Sequence, residues 1–251
     1  MVKARDIDTF ITSLAPVEFS ESWDNDGIMV CANPNVRVSR AVVCLEVNVD
    51  AIKYAIKTGA NLIITHHPFI FRAIRSVSGE KYSEIELLIK NNISVLSYHT
   101  RYDKAKGGVN DALAESLGLK NVIDMGTFLR VGELECQMSG EEFAEYLRRK
   151  LGCGVMKAYF EKNAKIKKVA VCGGAGKDFL CEASEVADAY VSSDFSHETF
   201  REAKVHGIAV FDAGHYFTEN PGAKKLQEML QQQFRDIEID FYDVGSPFFT
   251  V

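Results

Sequence analysis

A chain of 251 residues, 47% of them hydrophobic and carrying a formal net charge of −6, has the length for one large domain or two small ones and enough apolar side chains for a real core. The acidic balance argues against an overall basic nucleic-acid binder, and the local stripe Lys162 to Lys168 reads as the solvated approach to a strand. No run approaches the roughly 18 apolar residues that cross a bilayer, and the opening Met1-Val-Lys-Ala-Arg-Asp-Ile-Asp has acids where a secretory signal is apolar, so a cytoplasmic protein with no membrane partner is expected.

Along the chain, Ile7, Phe10, Ile11 and Leu14 fall at three- and four-residue spacings and predict an opening helix. A polar loop, Pro16 to Asp26, follows and holds the only tryptophan, Trp23; it either covers a binding cleft or packs against a sheet edge. Gly27-Ile-Met-Val and Arg40 to Leu45 read as strands, Val49 to Thr58 as a helix, and Asn61 to Thr65 as a strand running into His66-His67-Pro68. Ile93 to Ser97 is a further apolar strand, leading into His99, Arg101 and Asp103 ahead of the Gly107-Gly108 turn. A second helical pattern comprises Phe143, Tyr146, Leu147 and Leu151. Strands over Gly154-Val-Met-Lys and Lys168 to Gly173, a helix over Lys177 to Ala187 and a strand over Ala189 to Ser193 come next. Ile208 to Phe211 then leads into Asp212, His215 and Glu219.

Shifted by about 128 residues, these segments match one another in order, which points to an internal duplication. The expected fold is α/β, with two similar halves at residues 1–128 and 129–251 and a metal site in the cleft between them. The six cysteines form no C-x-x-C pair, so neither a zinc ribbon nor a disulfide scaffold is expected. Cys172-Gly-Gly-Ala-Gly176-Lys177 lacks the spacing of a phosphate loop and reads as a tight turn from strand to helix.

Three apolar strands that each end in histidine or carboxylate are the strongest functional signal, because strand carboxyl ends are where ligands sit in open α/β sheets. His66, His67, Asp103, His215 and Glu219 together make a ligand set large enough for two divalent ions. Pro68 supplies a turn that lets two adjacent histidines serve ions ~3.5–4 Å apart. If a helix opens at Gly214, His215 and Glu219 share one face of it. Asp103 is either a bridging carboxylate or a helix cap. His99 and Asp212 read as groups that orient a ligand, and His99 also as an acid/base. His197 is either a catalytic residue facing the same site or a surface group at a helix start, and His206 is structural.

Ser22-Trp23-Asp24-Asn25-Asp26-Gly27, Thr65-His66-His67-Pro68, His99-Thr100 with Asp103 and Gly107-Gly108-Val-Asn110-Asp111, Ser193-Asp194 with His197, and Asp212-Ala-Gly214-His215-Tyr216-Phe-Thr218-Glu219 occur in an order similar to that of one family. The chain resembles the GTP cyclohydrolase 1 type 2 homologs over essentially its whole length. The resemblance implies two interlinked α/β halves, a dinuclear centre held by His66, His67, Asp103, His215 and Glu219, and a homo-hexameric toroid. The chain departs from the family pattern at Arg101-Tyr102, and Arg101 would either select an anionic substrate or pair with Glu198 or another neighbour.

Two functional readings follow. One is a metal-dependent hydrolase using zinc, iron, manganese, cobalt or nickel on a nucleotide or other phosphorylated small molecule, with Arg101, Lys104 and Lys106 as phosphate contacts. The other is a non-catalytic metal-handling or regulatory ring.

Overall fold

The computed structural model describes residues 1–248. In chain order the elements are α1 (Ala4–Leu14), β1 (Gly27–Val30), β2 (Arg40–Cys44), α2 (Val49–Thr58), β3 (Leu62–Thr65), α3 (Gly79–Lys90), β4 (Ser94–Ser97), α4 (Thr100–Lys104), α5 (Val109–Ser116), β5 (Lys120–Asp124) and β6 (Arg130–Met138). They continue with α6 (Gly140–Leu151), β7 (Lys157–Tyr159), β8 (Ile166–Ala175), α7 (Leu180–Val186), β9 (Ala189–Ser193), α8 (His197–His206), β10 (Ala209–Asp212), α9 (His215–Gln233) and β11 (Glu238–Phe241).

The chain forms two compact units, residues 1–108 with 223–245 and residues 109–222 with the C-terminal stretch from 246. This grouping differs from a cut at 128/129. Two pairings account for it: β5 pairs antiparallel with β6 and so belongs to the second unit's sheet, and β11 pairs in parallel with β2, Glu238 against Arg40 through Phe241 against Val43, so the last strand completes the first unit's sheet.

The first unit's sheet runs β1-β4-β3-β2-β11. Strands β2, β3 and β4 are parallel, joined through α2 and α3, and β1 closes the edge antiparallel to β4. β2, β3 and β4 are buried along nearly their whole length because helices cover the sheet; Val42, Ile63 and Val95 are fully buried in one cluster with Ile52, Ala55 and Leu88 from those helices. The Asn48 side chain caps α2 by accepting from Ala51 N at 2.8 Å, and Gly59 closes it with φ 74°, a backbone region that glycine enters without steric cost.

The second unit's sheet runs β5-β6-β8-β9-β10-β7 and repeats the same core topology: β8, β9 and β10 are parallel, and β7 lies antiparallel on β10. The helical spacings in the sequence correspond to the buried faces, with Ile7 and Ile11 inward on α1 and Phe143 and Leu147 inward on α6. A Ser139–Glu142 capping box starts α6, and the Ser196 hydroxyl accepts from Thr199 N to start α8. Cys44 and Cys172 sit in β2 and β8 as buried thiols. Among the described residues no helix is long and apolar enough to cross a membrane.

Candidate functional site

In the first unit, parallel pairing sets Thr65 of β3 against Ser97 of β4, so the chains leaving these strands run side by side. His66 and His99 are thereby brought together, with ring centroids 5.2 Å apart. His99 precedes α4, and Asp103, one turn on, donates its N–H to the His99 carbonyl at 3.1 Å. Ligand atoms of His66, His99 and Asp103 all lie within 4.8 Å of one another. His66 is 1% exposed, and its Nε2 stands 3.5 Å from Asp103 Oδ1. The His67 ring centroid lies 5.3 Å from that of His66, the backbone bending at the two histidines ahead of Pro68.

A carbonyl or carboxylate partner can only accept, so it fixes which imidazole nitrogen carries the proton. His66 Nδ1 donates to the Tyr98 carbonyl at 3.0 Å, His99 Nδ1 to Asp24 Oδ1 at 2.9 Å and His67 Nδ1 to Glu46 Oε2 at a longer 3.5 Å. In each neutral ring Nε2 is then the nitrogen with the lone pair, the arrangement that metal-ligating histidines adopt.

Asp24 is the anchor of this unit. Its side chain is fully buried and accepts from His99 Nδ1, from Thr100 N at 3.0 Å and from Thr100 Oγ1 at 2.6 Å. Burial would raise its pKa, but the hydrogen bonds from His99 and Thr100 outweigh that and hold the carboxyl well below the usual range. Trp23 beside it is 60% exposed and meets Phe71 and His99 edge-to-face at 6.1 and 6.3 Å. The loop therefore borders His99 instead of only covering a sheet edge.

In the second unit, β9 ends at Ser193 and β10 at Asp212, and their register again places the outgoing segments together. Asp194 adopts φ 59°, which costs a non-glycine residue conformational energy and is found where a site over-determines the backbone. From there its Oδ2 accepts from His215 Nδ1 at 2.6 Å. His215 opens α9, and its Nε2 faces Glu219 Oε2 at 3.0 Å, the i,i+4 pair that the spacing predicted. Burial alone would lower the imidazolium's pKa, but hydrogen bonds and charge from Asp194 and Glu219 push it up to about 10.

Gly174, at the end of β8, makes room for this pair. It has φ 66°, and a Cβ there would collide with Glu219 Oε1 and stand 3.3 Å from His215 Nε2. Its N–H donates to Thr218 Oγ1 at 3.0 Å, and its carbonyl accepts from Ser192 and Ser193 at 2.9 and 2.7 Å. The glycine run is thus the end of a strand pressed against α9.

Other sequence candidates take different roles. Arg101 is 2% exposed, pairs with Asp26 at 3.1 Å, donates to Thr12 Oγ1 and stacks over Tyr98. It is a buried tie between α4 and the segments around Thr12 and Asp26, unsuited to contacting a substrate phosphate, and Glu198 pairs instead with Arg201. Lys104 is paired with Glu21, and Lys106 is exposed. His197 is exposed in the first turn of α8, two residues beyond Phe195. Asp212 accepts from Phe195 N and Gly214 N, so it braces the backbone entering α9 without touching an imidazole. Sequence reasoning missed Asp24, Asp194 and Gly174 as site groups. Asp194 was findable, since it follows β9 as His66 follows β3.

Nearly the whole described chain fits a known family: residues 2–247 match DUF34/NIF3 (NGG1p interacting factor 3). The chain belongs to the DUF34/NIF3 family. A Clostridium perfringens protein named GTP cyclohydrolase 1 type 2 homolog is 32% identical, covering 96% of this chain and 95% of that one. A Helicobacter pylori relative named GTP cyclohydrolase 1 type 2 is 30% identical, with 92% of each chain covered. Among solved structures, a Staphylococcus aureus protein superposes with a TM-score of 0.93 at 26% identity, covering 100% of this chain and 99% of that one. Reduced HcgD from Methanocaldococcus jannaschii does so with 0.81 at 32% identity, covering 96% and 97%. In this DUF34/NIF3 chain each unit offers imidazole nitrogen and carboxylate oxygen together, a donor set that suits a divalent transition metal.

Proposed function

We propose that this DUF34/NIF3 protein holds two divalent metal ions per chain through His66, His67, Asp103, His215 and Glu219 and acts as a metal-dependent hydrolase on a nucleotide or another phosphorylated small molecule. The observation that carries the reading is the shared clamp: His66 and His215 each commit Nδ1 to an acceptor while Nε2 faces a carboxylate. Clamps of this kind fix ring orientation and raise ligand basicity. Ions bound there would supply a water acidified toward a pKa of about 7 and an electrophile for a carbonyl or phosphoryl oxygen. His99, oriented by Asp24, is the group that passes a proton, and Asp24 stays ionised to hold it. The cyclohydrolase names of the relatives support a purine nucleotide as the substrate class.

Metal-loaded protein incubated with GTP and other nucleotides, followed by the ultraviolet absorbance of the base and by phosphate release, tests the reading. Turnover is expected in the wild type and should vanish in Asp103→Asn and Glu219→Gln while the thermal transition survives. Full metal loading with no turnover on any nucleotide would replace the hydrolase with a metal-handling role. The homo-hexamer implied by resemblance belongs to the same proposal, and sedimentation equilibrium should return six times the chain mass.

A further inference from the structure

The second unit carries a cavity of about 410 Å³ at the carboxyl ends of β9 and β10, beside His215 and Asp194. That volume lies within the ~300–1,000 Å³ span of small-molecule sites, which are mostly apolar with a few placed polar groups. Here the apolar lining includes Phe217 and Phe248, and Lys157 brings a cation. Lys157 is held in place because β7 pairs with β10, setting it opposite Asp212. Its ammonium lies 3.4 Å from Asp212 Oδ2 while the side chain as a whole is 68% exposed, and Asp212 already accepts from two backbone amides. An ammonium has three donors, so Lys157 can serve an incoming anion without abandoning Asp212. The other lining carboxylate, Asp194, is engaged by His215.

We infer that this cavity is the substrate subsite, taking a heteroaromatic ring against Phe217 and Phe248 and a phosphate on Lys157, a ligand the size of a nucleoside monophosphate. The inference rests on the proposed hydrolase and gives its nucleotide a binding cavity and a docking direction: the ring enters beside His215, and the phosphate stays on the rim formed by β7.

Calorimetric titration of the metal-loaded full chain with guanosine and with guanosine 5′-monophosphate tests this, using wild type, Lys157→Gln and Phe248→Ala, with metal counted on the same samples. Both substituted side chains are largely solvent-exposed, so folding should survive. Lys157→Gln is expected to weaken the monophosphate about tenfold and leave guanosine unchanged, while Phe248→Ala weakens both about tenfold. Wild-type protein that binds neither probe, variants that bind as wild type, or a Lys157→Gln loss equal for both probes would each overturn the subsite. The metal counts separate this from the reading beneath it. Protein that keeps its ions yet ignores both substitutions loses the subsite alone, whereas protein that takes up no metal yet shows the split between probes keeps the subsite and loses the metal-dependent hydrolase.

Discussion

His215 Nδ1 lies 2.6 Å from Asp194 Oδ2, while the far nitrogen of the same ring faces Glu219 at 3.0 Å. One imidazole is therefore pinned from both sides, and the carboxylate that pins it sits in a left-handed backbone conformation.

Removing the pin should cost metal affinity before it costs the fold. Asp194→Ala is expected to weaken binding at His215 by roughly 10–100-fold, as loss of an orienting partner typically does. Asp194→Gly relieves the backbone yet also lacks the carboxylate, so it should bind metal as poorly as the alanine variant while melting higher. Competition with a chromogenic chelator and a melting curve measure the two effects. Normal affinity in the glycine variant would show that the carboxylate is not needed.

Gly174→Ala probes the same pair from below. A methyl group there collides with Glu219 Oε1, and the end of a flexible side chain yields before the backbone does. Glu219 should swing away, lowering metal affinity, and the positive φ should add about 1 kcal/mol of destabilisation. An alanine variant that binds metal like the wild type would mean that Glu219 is not a ligand.

Coordination through His215 would make metal binding pH-dependent. Its pKa rises from 6.5 to about 10 in the folded metal-free protein, so its stabilising contribution is complete below pH 6.5 and is lost as pH rises through about 10. An ion held by His215 would have to take the place of the Nε2 proton. Between those values the ion that binds at His215 should release close to one proton from its ring, with affinity at that site rising up to about tenfold per pH unit. Calorimetry in buffers of different ionisation enthalpy counts that proton; none released at pH 8 would contradict the coordination.

Asp24→Asn should loosen the first unit. The amide cannot accept all three hydrogen bonds as the carboxylate does, and one of its own N–H groups would meet donors. A loss of about 2–3 kcal/mol is expected from a buried charged acceptor. The only tryptophan, Trp23, borders His99 and reports the change in its fluorescence; an unchanged spectrum and melting point would show that the loop is held by other contacts.

The strand-to-histidine layout was legible because buried parallel strands are apolar runs and their ends turn polar, as at Thr65-His66 and at Asp212 to His215. The helical faces of α1 and α6 were legible from period alone. The return of β11 to the first sheet was not, since Glu238-Ile-Asp-Phe is short and its pairing with β2 joins residues some 200 positions apart. That Arg101 pairs with a neighbour was one of its two sequence readings, but which neighbour was not legible: Asp26 lies in a loop whose path no local pattern fixes. Asp24 and Asp194 act through geometry at a turn, and a lone aspartate in sequence does not announce that its oxygens will meet an imidazole.

Elemental analysis of purified protein, wild type beside His215→Ala, with metal counted per chain, tests the central claim most directly. Two divalent ions per chain in the wild type, falling to one or none in the variant with the fold retained, are predicted. A wild-type protein that holds no metal after exposure to zinc, iron, manganese, cobalt and nickel, or a variant that still holds two ions, would contradict it.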